Sequence, residues 1–138
     1  MRRNLMTAAG TIAAAFALSV SMSGSAYATV GTAGCGTTGA YGDMYFSNYH
    51  GPAATINIKF SLSDTLADGN SVRLRLVSQD VSGIIRYWSW RTNSQGSGTT
   101  SRWETTAADS RGLHKIGLEV ARFNSNGTYR NGCFDWAY

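Results

Sequence analysis

Apolar and polar residues alternate through the middle of the chain, and this period of two most constrains its fold. In residues 54–62 every second side chain is apolar, from Ala54 to Leu62, and residues 72–76 repeat the pattern. Such alternation places the apolar side chains on one face of a β-strand, whereas an amphipathic helix repeats every three to four residues. No helical period follows residue 28, so we expect the rest of the chain to be all-β.

The same criteria predict about seven strands, separated by turn signals. Asp68-Gly69-Asn70 predicts a hairpin or a short β-connection. Asn126-Gly127 predicts a hairpin, which is preferred to the N-glycosylation sequon that these residues form with Thr128. The predicted fold is an antiparallel β-sandwich or small barrel, with strands near residues 44–49, 54–62, 72–76, 84–91, 99–105, 116–123 and 129–136.

The first 28 residues have the pattern of an export signal. Arg2 and Arg3 precede an apolar run at residues 8–20, and the small-residue site Ala26-Tyr27-Ala28 follows. A spanning helix needs roughly 20 apolar residues, so a signal peptide cleaved after Ala28 is preferred to a membrane anchor. General secretion is preferred to twin-arginine export, and a degraded lipobox ending at Cys35 is a further alternative. We expect a secreted, extracellular protein with no membrane segment after cleavage.

Residues 29–138 would then form a single domain of 110 residues, enough for one modest core. Loss of Arg2 and Arg3 leaves 10 of the 12 basic residues against 8 acidic ones, and the net charge falls from +4 to +2. The remaining basic residues are dispersed. A nucleic-acid partner requires a concentrated basic stripe, so we expect this protein to bind no nucleic acid. We expect a monomer.

Two cysteines, Cys35 and Cys133, lie near the ends of this domain. A cysteine pair in an exported protein predicts a disulfide, because oxidising compartments preserve the bond. The wide spacing argues against a redox pair of the form C-x-x-C, and two cysteines alone argue against structural zinc. We expect Cys35 to precede the first strand and Cys133 to lie in the last, with no metal or cofactor.

Aromatic residues on the strand at residues 84–91 support the main functional hypothesis. Alternation sends Trp88 and Trp90 to one face with Arg86, and it sends Tyr87 to the other face with Arg91. On an exposed face the two indoles would form a platform for sugar rings or bases, with Arg86 bonding to hydroxyl or phosphate groups. The alternative is that both indoles fill the core. The candidate ligand-binding residues are Arg86, Trp88, Trp90 and Trp103.

Arginines on the predicted strands form a second feature. Arg73 and Arg75 share the face opposite Leu74 and are expected to be solvated. The functional alternative joins them to other strand arginines as a surface for an anion or polysaccharide: Arg86, Arg91 and Arg102. The longest predicted loop, residues 92–98, is rich in Asn, Ser, Gln and Gly and is expected to be mobile.

The sequence contains none of the common catalytic motifs. G-x-S-x-G, H-E-x-x-H, C-x-x-C and the glycine-rich phosphate loop are missing, and the histidines are His50 and His114. We expect a non-catalytic binding module, with a carbohydrate or cell-envelope ligand held by exposed aromatics. One alternative is an inhibitor of an extracellular hydrolase, acting through the loop at residues 92–98. Another is a small secreted hydrolase, which needs a histidine and a carboxylate beside a serine.

The run at residues 64–75 resembles a segment of small secreted, β-rich proteins of actinobacteria such as streptomycetes. The pattern D-x-x-A-D-G-x-x-V-R-x-R, about a dozen residues long, carries the resemblance. Those proteins are largely uncharacterised, so the resemblance implies a habitat and no activity. Many of them have cysteines close to this run, whereas this chain has none there. Neither a disulfide pattern nor a functional residue therefore carries over.

Overall fold

The structure, a computed structural model, describes residues 28–137. Residues 1–27, which hold nearly all of the predicted export signal, lie outside the described residues. The described residues form nine β-strands in two antiparallel sheets. The strands are β1 (Thr29–Thr37), β2 (Ala40–Tyr49), β3 (Ile56–Asp64), β4 (Ser71–Gln79), β5 (Ile85–Tyr87), β6 (Arg91–Asn93), β7 (Thr100–Ala107), β8 (Lys115–Phe123) and β9 (Tyr129–Trp136).

The two sheets pack face to face as a β-sandwich, so the predicted fold class is confirmed. The first sheet has the order β1-β2-β3-β7, and the second has the order β5-β4-β8-β9, with β6 also paired to β4. Because β3 and β4 belong to different sheets, the connection through Gly69 crosses from one to the other. Gly69 has a φ of +70°, in the left-handed region that favours glycine. Of the two alternatives at Asp68-Gly69-Asn70, the structure contains the short connection and not the hairpin.

Alternating side chains of the strands form the core between the sheets. In β3, Ile56, Ile58 and Leu62 are buried, whereas Asn57 and Lys59 between them are exposed. Burial of a large apolar side chain contributes about 1.5–3 kcal/mol, so the buried rows of the strands are a major share of the stability. Opposite them, the second sheet contributes the buried residues Val72, Leu74, Leu76, Ile116, Leu118 and Val120.

The predicted number of strands is too low in two places. The sequence does not predict β1, and Cys35 lies within that strand instead of preceding the first one. The strand expected at residues 84–91 is two short strands, β5 and β6, with residues 88–90 between them. The hairpin at Asn126-Gly127 is confirmed, because β8 and β9 are antiparallel neighbours and the Gly127 N–H donates to the Asn124 carbonyl at 2.8 Å.

The two long edges of the sandwich differ. At one edge a disulfide joins Cys35 of β1 to Cys133 of β9, with 5.9 Å between the Cα atoms, as predicted. Side chains add to this link, since the Gly34 N–H donates to Asp135 Oδ2 at 3.0 Å and Asn131 Nδ2 donates to a threonine hydroxyl of β1 at 2.6 Å. At the other edge, β7 lies across from β5 and β6, with a cleft between them. The two sheets are therefore covalently linked at one edge of the sandwich and separated by a cleft at the other, which we call the open edge.

Candidate functional site

The break between β5 and β6 determines which way the aromatic side chains of this edge point. Tyr87 pairs with Val77 of β4, whereas Arg91 pairs with Leu74. Tyr87 and Arg91 are four residues apart, whereas their partners Val77 and Leu74 are three residues apart. The edge strand therefore contains one extra residue, which is a β-bulge. The extra residue puts Tyr87 on the outer face of the sheet and Arg91 on the inner face with the core residue Leu74. The prediction that Tyr87 and Arg91 share a face is wrong for this reason.

Trp88 and Trp90 point to different faces of the second sheet. Trp88 packs against the core, and its indole N–H donates to Ser78 Oγ at 3.0 Å. Trp90 lies against Arg75, whose guanidinium carbon is 4.2 Å from the centroid of the indole ring. The two indoles therefore do not form the common platform that regular alternation predicts.

Arg86 covers the indole of Trp88. Its guanidinium carbon lies 4.1 Å from the ring centroid, and its Nη1 donates to Asp109 Oδ2 at 3.0 Å. A guanidinium over an indole face is an attractive cation–π contact, and here it occupies the face on which a sugar would stack. Arg86 and Trp88 are therefore brought together as predicted, but each is engaged within the domain.

The Asp109 carboxylate gives this contact a predictable dependence on pH. It accepts the Arg111 N–H at 3.0 Å and the Arg86 bond described above, and these hydrogen bonds lower the pKa of Asp109 from its ordinary value of 3.8. A lowered pKa in the folded state adds stability above the unfolded pKa, and that stability disappears as the pH falls through the folded pKa.

We therefore expect Asp109→Asn to unfold at lower urea than the wild type at pH 7, because the variant lacks the charged acceptor. The difference should begin to shrink as the pH falls below the unfolded-state pKa of about 3.8, and it should disappear below the lowered pKa of the folded carboxylate. Urea denaturation at pH 7, 4 and 2 measures the effect. A difference that stays constant over this range would contradict the assignment.

Trp103, the remaining candidate from the sequence, lies in β7. It pairs with Phe60 of β3 and packs against the core from its edge, whereas the neighbouring Arg102 is exposed. Of the four predicted residues, Arg86 and Trp88 contact one another, and Trp90 belongs to the aromatic surface described next.

Aromatic side chains surround two arginines on the outer face of the second sheet. The guanidinium carbon of Arg75 is 4.3 Å from the ring centroid of Tyr87, and Trp90 lies on it as described above. The Arg75 Nε donates to Glu119 Oε2 at 2.6 Å, and the Arg75 side chain is 21% exposed. The prediction that Arg75 is solvated is therefore wrong. We name this surface the aromatic–arginine face; it consists of Arg73, Arg75, Tyr87, Trp90, Phe123 and Tyr129.

Arg73 has hydrogen-bond donors without a partner in the described chain. Its guanidinium carbon lies 4.2 Å from the ring centroid of Phe123, which in turn makes edge contacts with Trp90 at 5.3 Å and Tyr129 at 5.8 Å. Within residues 28–137 its side chain makes no hydrogen bond or ion pair, and its Nε is buried. A guanidinium in this position is able to donate to hydroxyl or carboxylate oxygens of a ligand.

The aromatic–arginine face has a buried base and an exposed top. Val77 and Ala121 are buried but lie outside the core between the sheets, because they point outward beneath these side chains. Tyr87 and Tyr129 are 56% and 53% exposed. Packing against Val77 and Ala121 fixes the positions of the rings, and the exposed tyrosines offer apolar surface to a ligand.

Other kinds of site have less support. His50 and His114 are both exposed, and neither imidazole bonds to a carboxylate or hydroxyl among residues 28–137. The same residues contain no group of three His, Cys, Asp or Glu side chains positioned to hold a metal ion. In this part of the chain no helix has the length and apolar character needed to cross a membrane.

No protein-family model matches the chain, and comparisons with curated proteins and with solved structures give no match either. A functional conclusion must therefore come from the side chains themselves.

Proposed function

We propose that this protein is a secreted, non-catalytic module that binds a polysaccharide of the cell envelope or the extracellular medium on its aromatic–arginine face. One observation supports this proposal most strongly: Arg73, with unbonded donors, lies within a group of aromatic rings of which Tyr87 and Tyr129 are exposed. Aromatic rings offer apolar surface to sugar rings, and a guanidinium bonds to their hydroxyl or carboxylate groups. Secretion is supported by the disulfide, since such bonds persist in oxidising compartments.

The surface has the composition of a recognition site more than of a solvated sheet. Its rings are large and have few rotatable bonds, so ordering them on a ligand costs little conformational entropy. Among residues 28–137 a single carboxylate, Glu119, contacts its two arginines, and it is bonded to Arg75. Within the described part of the chain no ion pair compensates the Arg73 charge, which favours a polymer carrying uronate or other acidic groups over a neutral one.

Binding should depend on the two exposed tyrosines. We expect the variant Tyr87→Ala/Tyr129→Ala to bind an insoluble polymer about tenfold more weakly, because each truncation removes an exposed ring of the binding surface. Pull-down isotherms with insoluble pectate, peptidoglycan and cellulose measure the loss, and the neutral cellulose should bind less than the two acidic polymers. The matched control is Tyr41→Ala/Tyr45→Ala, which removes two exposed tyrosines from the outer face of the first sheet and should leave the isotherm unchanged. Equal binding by both double variants, or no binding by the wild type, would contradict the proposal.

The exposed loop at residues 94–98 supports a second candidate, inhibition of an extracellular hydrolase. Its base is fixed by Asn93, whose Nδ2 donates to the Leu62 and Thr99 carbonyls at 3.2 and 3.1 Å and whose Oδ1 accepts the Gln95 N–H at 2.9 Å. A loop held in one conformation loses little entropy on binding an enzyme. A panel of proteases and amylases separates the two candidates, because polysaccharide binding alone inhibits neither class.

A further inference from the structure

The open edge of the sandwich contains a cleft that is separate from the exposed top of the aromatic–arginine face. It has a volume of about 360 Å³, within the range of small-molecule sites, and it reaches the core residues Ile58, Phe60 and Leu76. The segment at residues 88–91 forms one side, and β7 forms the other. The cleft lies at the edge opposite the disulfide.

Arg91 places a positive charge in this cleft. The bulge turns it inward opposite Leu74, and its guanidinium carbon lies 5.6 Å from the ring centroid of Phe60. Among residues 28–137 it has neither an ion pair nor a hydrogen bond through its side chain, although five other Arg and Lys side chains of the same region are paired with carboxylates: Lys59, Arg75, Arg86, Arg111 and Arg122. A charge in apolar surroundings without a counter-charge is unfavourable, and an anion beside it would remove that cost.

We propose that the open-edge cleft binds a small amphipathic carboxylate, with its apolar body against Phe60 and Leu76 and its carboxylate on the Arg91 guanidinium. The three core residues at its base are apolar, so they suit a hydrocarbon and offer no partner to sugar hydroxyls. Ser89 and Thr105 are the residues of the cleft that carry hydroxyl groups on this side, which adds polar partners for a charged head group. The volume admits a single small molecule, so this ligand is distinct from the polymer proposed for the outer face.

Tryptophan fluorescence provides a direct measurement, because Trp88 lines the cleft and packs against the core. Decanoate carries an apolar chain and a carboxylate, and decanol carries the same chain without the charge. We expect decanoate, added below its micellar concentration, to change the fluorescence saturably. Arg91→Met should weaken decanoate about tenfold, because it removes charge-assisted hydrogen bonds, and should leave decanol unchanged. Arg102→Met, which removes an exposed arginine next in sequence to Trp103 in β7, is the matched control and should bind decanoate as the wild type does.

A second variant tests the cleft without changing Arg91. Thr105 pairs with Ile58 on the inner side of β7 and lines the cleft, so Thr105→Trp should fill it and abolish binding of decanoate and decanol alike. Circular dichroism verifies the fold of each variant, and polymer pull-down verifies that the outer face is intact. Equal decanoate affinity in the wild type and Arg91→Met, or undiminished binding by Thr105→Trp, would overturn the proposal. Either result leaves the polysaccharide proposal unaffected, since its test uses a different surface.

Discussion

Removal of the disulfide by Cys35→Ala/Cys133→Ala is expected to lower the free energy of unfolding by about 4 to 5 kcal/mol. The bond joins residues 98 apart, so it closes a loop of nearly the whole described chain. In the chain-entropy model, a cross-link over such a loop removes many conformations of the unfolded state, and losing it restores them. With the unfolding entropy typical of about 110 residues, the melting temperature should fall by roughly 20 °C. Urea denaturation and thermal melts at equal protein concentration measure both quantities.

The same variant tests where the ligand binds. The aromatic–arginine face is built mainly on β4, β8 and the β5–β6 edge, and its contacts do not include either cysteine. Protein that remains folded without the disulfide should therefore bind polymer as the wild type does. A loss of stability below about 1 kcal/mol would show that the remaining links between β1 and β9 already restrict the chain. Loss of binding in folded protein would instead place the binding site at the disulfide edge.

The sequence predicts the core strands well because burial dictates their pattern. In β3, and in β4 as far as Leu76, apolar and polar residues alternate, and the sandwich uses that alternation to separate its inner and outer faces. β1 lacks this signal, since its sequence is TVGTAGCGT and Ala33 is its only buried residue. Its place comes from pairing with β2 and from the disulfide, neither of which appears as a local pattern.

The candidate sites were harder to predict because a single extra residue changes the face of every side chain beyond it. Nothing between Tyr87 and Arg91 marks the bulge, which exists because β5 and β6 each keep their pairing with β4. The stacking of Arg75 on Tyr87 and Trp90 likewise requires the sheet order, which local alternation does not contain. Phe123 and Tyr129 had no such signal either, because counting outward from the Asn126-Gly127 turn places Phe123 opposite Arg130. A register shift between Arg122 and Phe123 brings Tyr129 opposite Phe123 instead.

Truncation of the core residue Leu118 to alanine is expected to cost about 3 to 4 kcal/mol of stability. Leu118 is fully buried at the centre of β8, where it pairs with Leu76 on one side and Asp135 on the other. Leu→Ala in a packed core loses the transfer free energy of the removed atoms and leaves a cavity that the surroundings fill only in part. Strands on both sides of β8 restrict that relaxation, so the loss should exceed the transfer contribution alone.

Leu66→Ala is the matched control for this change, because it removes the same atoms from a leucine that is 41% exposed in the connection between the sheets. It should change stability by no more than about 0.5 kcal/mol. Urea denaturation of the two variants compares them directly, and equal slopes with urea would indicate that both unfold from equally compact states. A similar loss in both variants would mean that the interior is loosely packed. Since the aromatic–arginine face and the open-edge cleft both rest on strands that pack against this core, such a result would remove the rigid support that both binding proposals require.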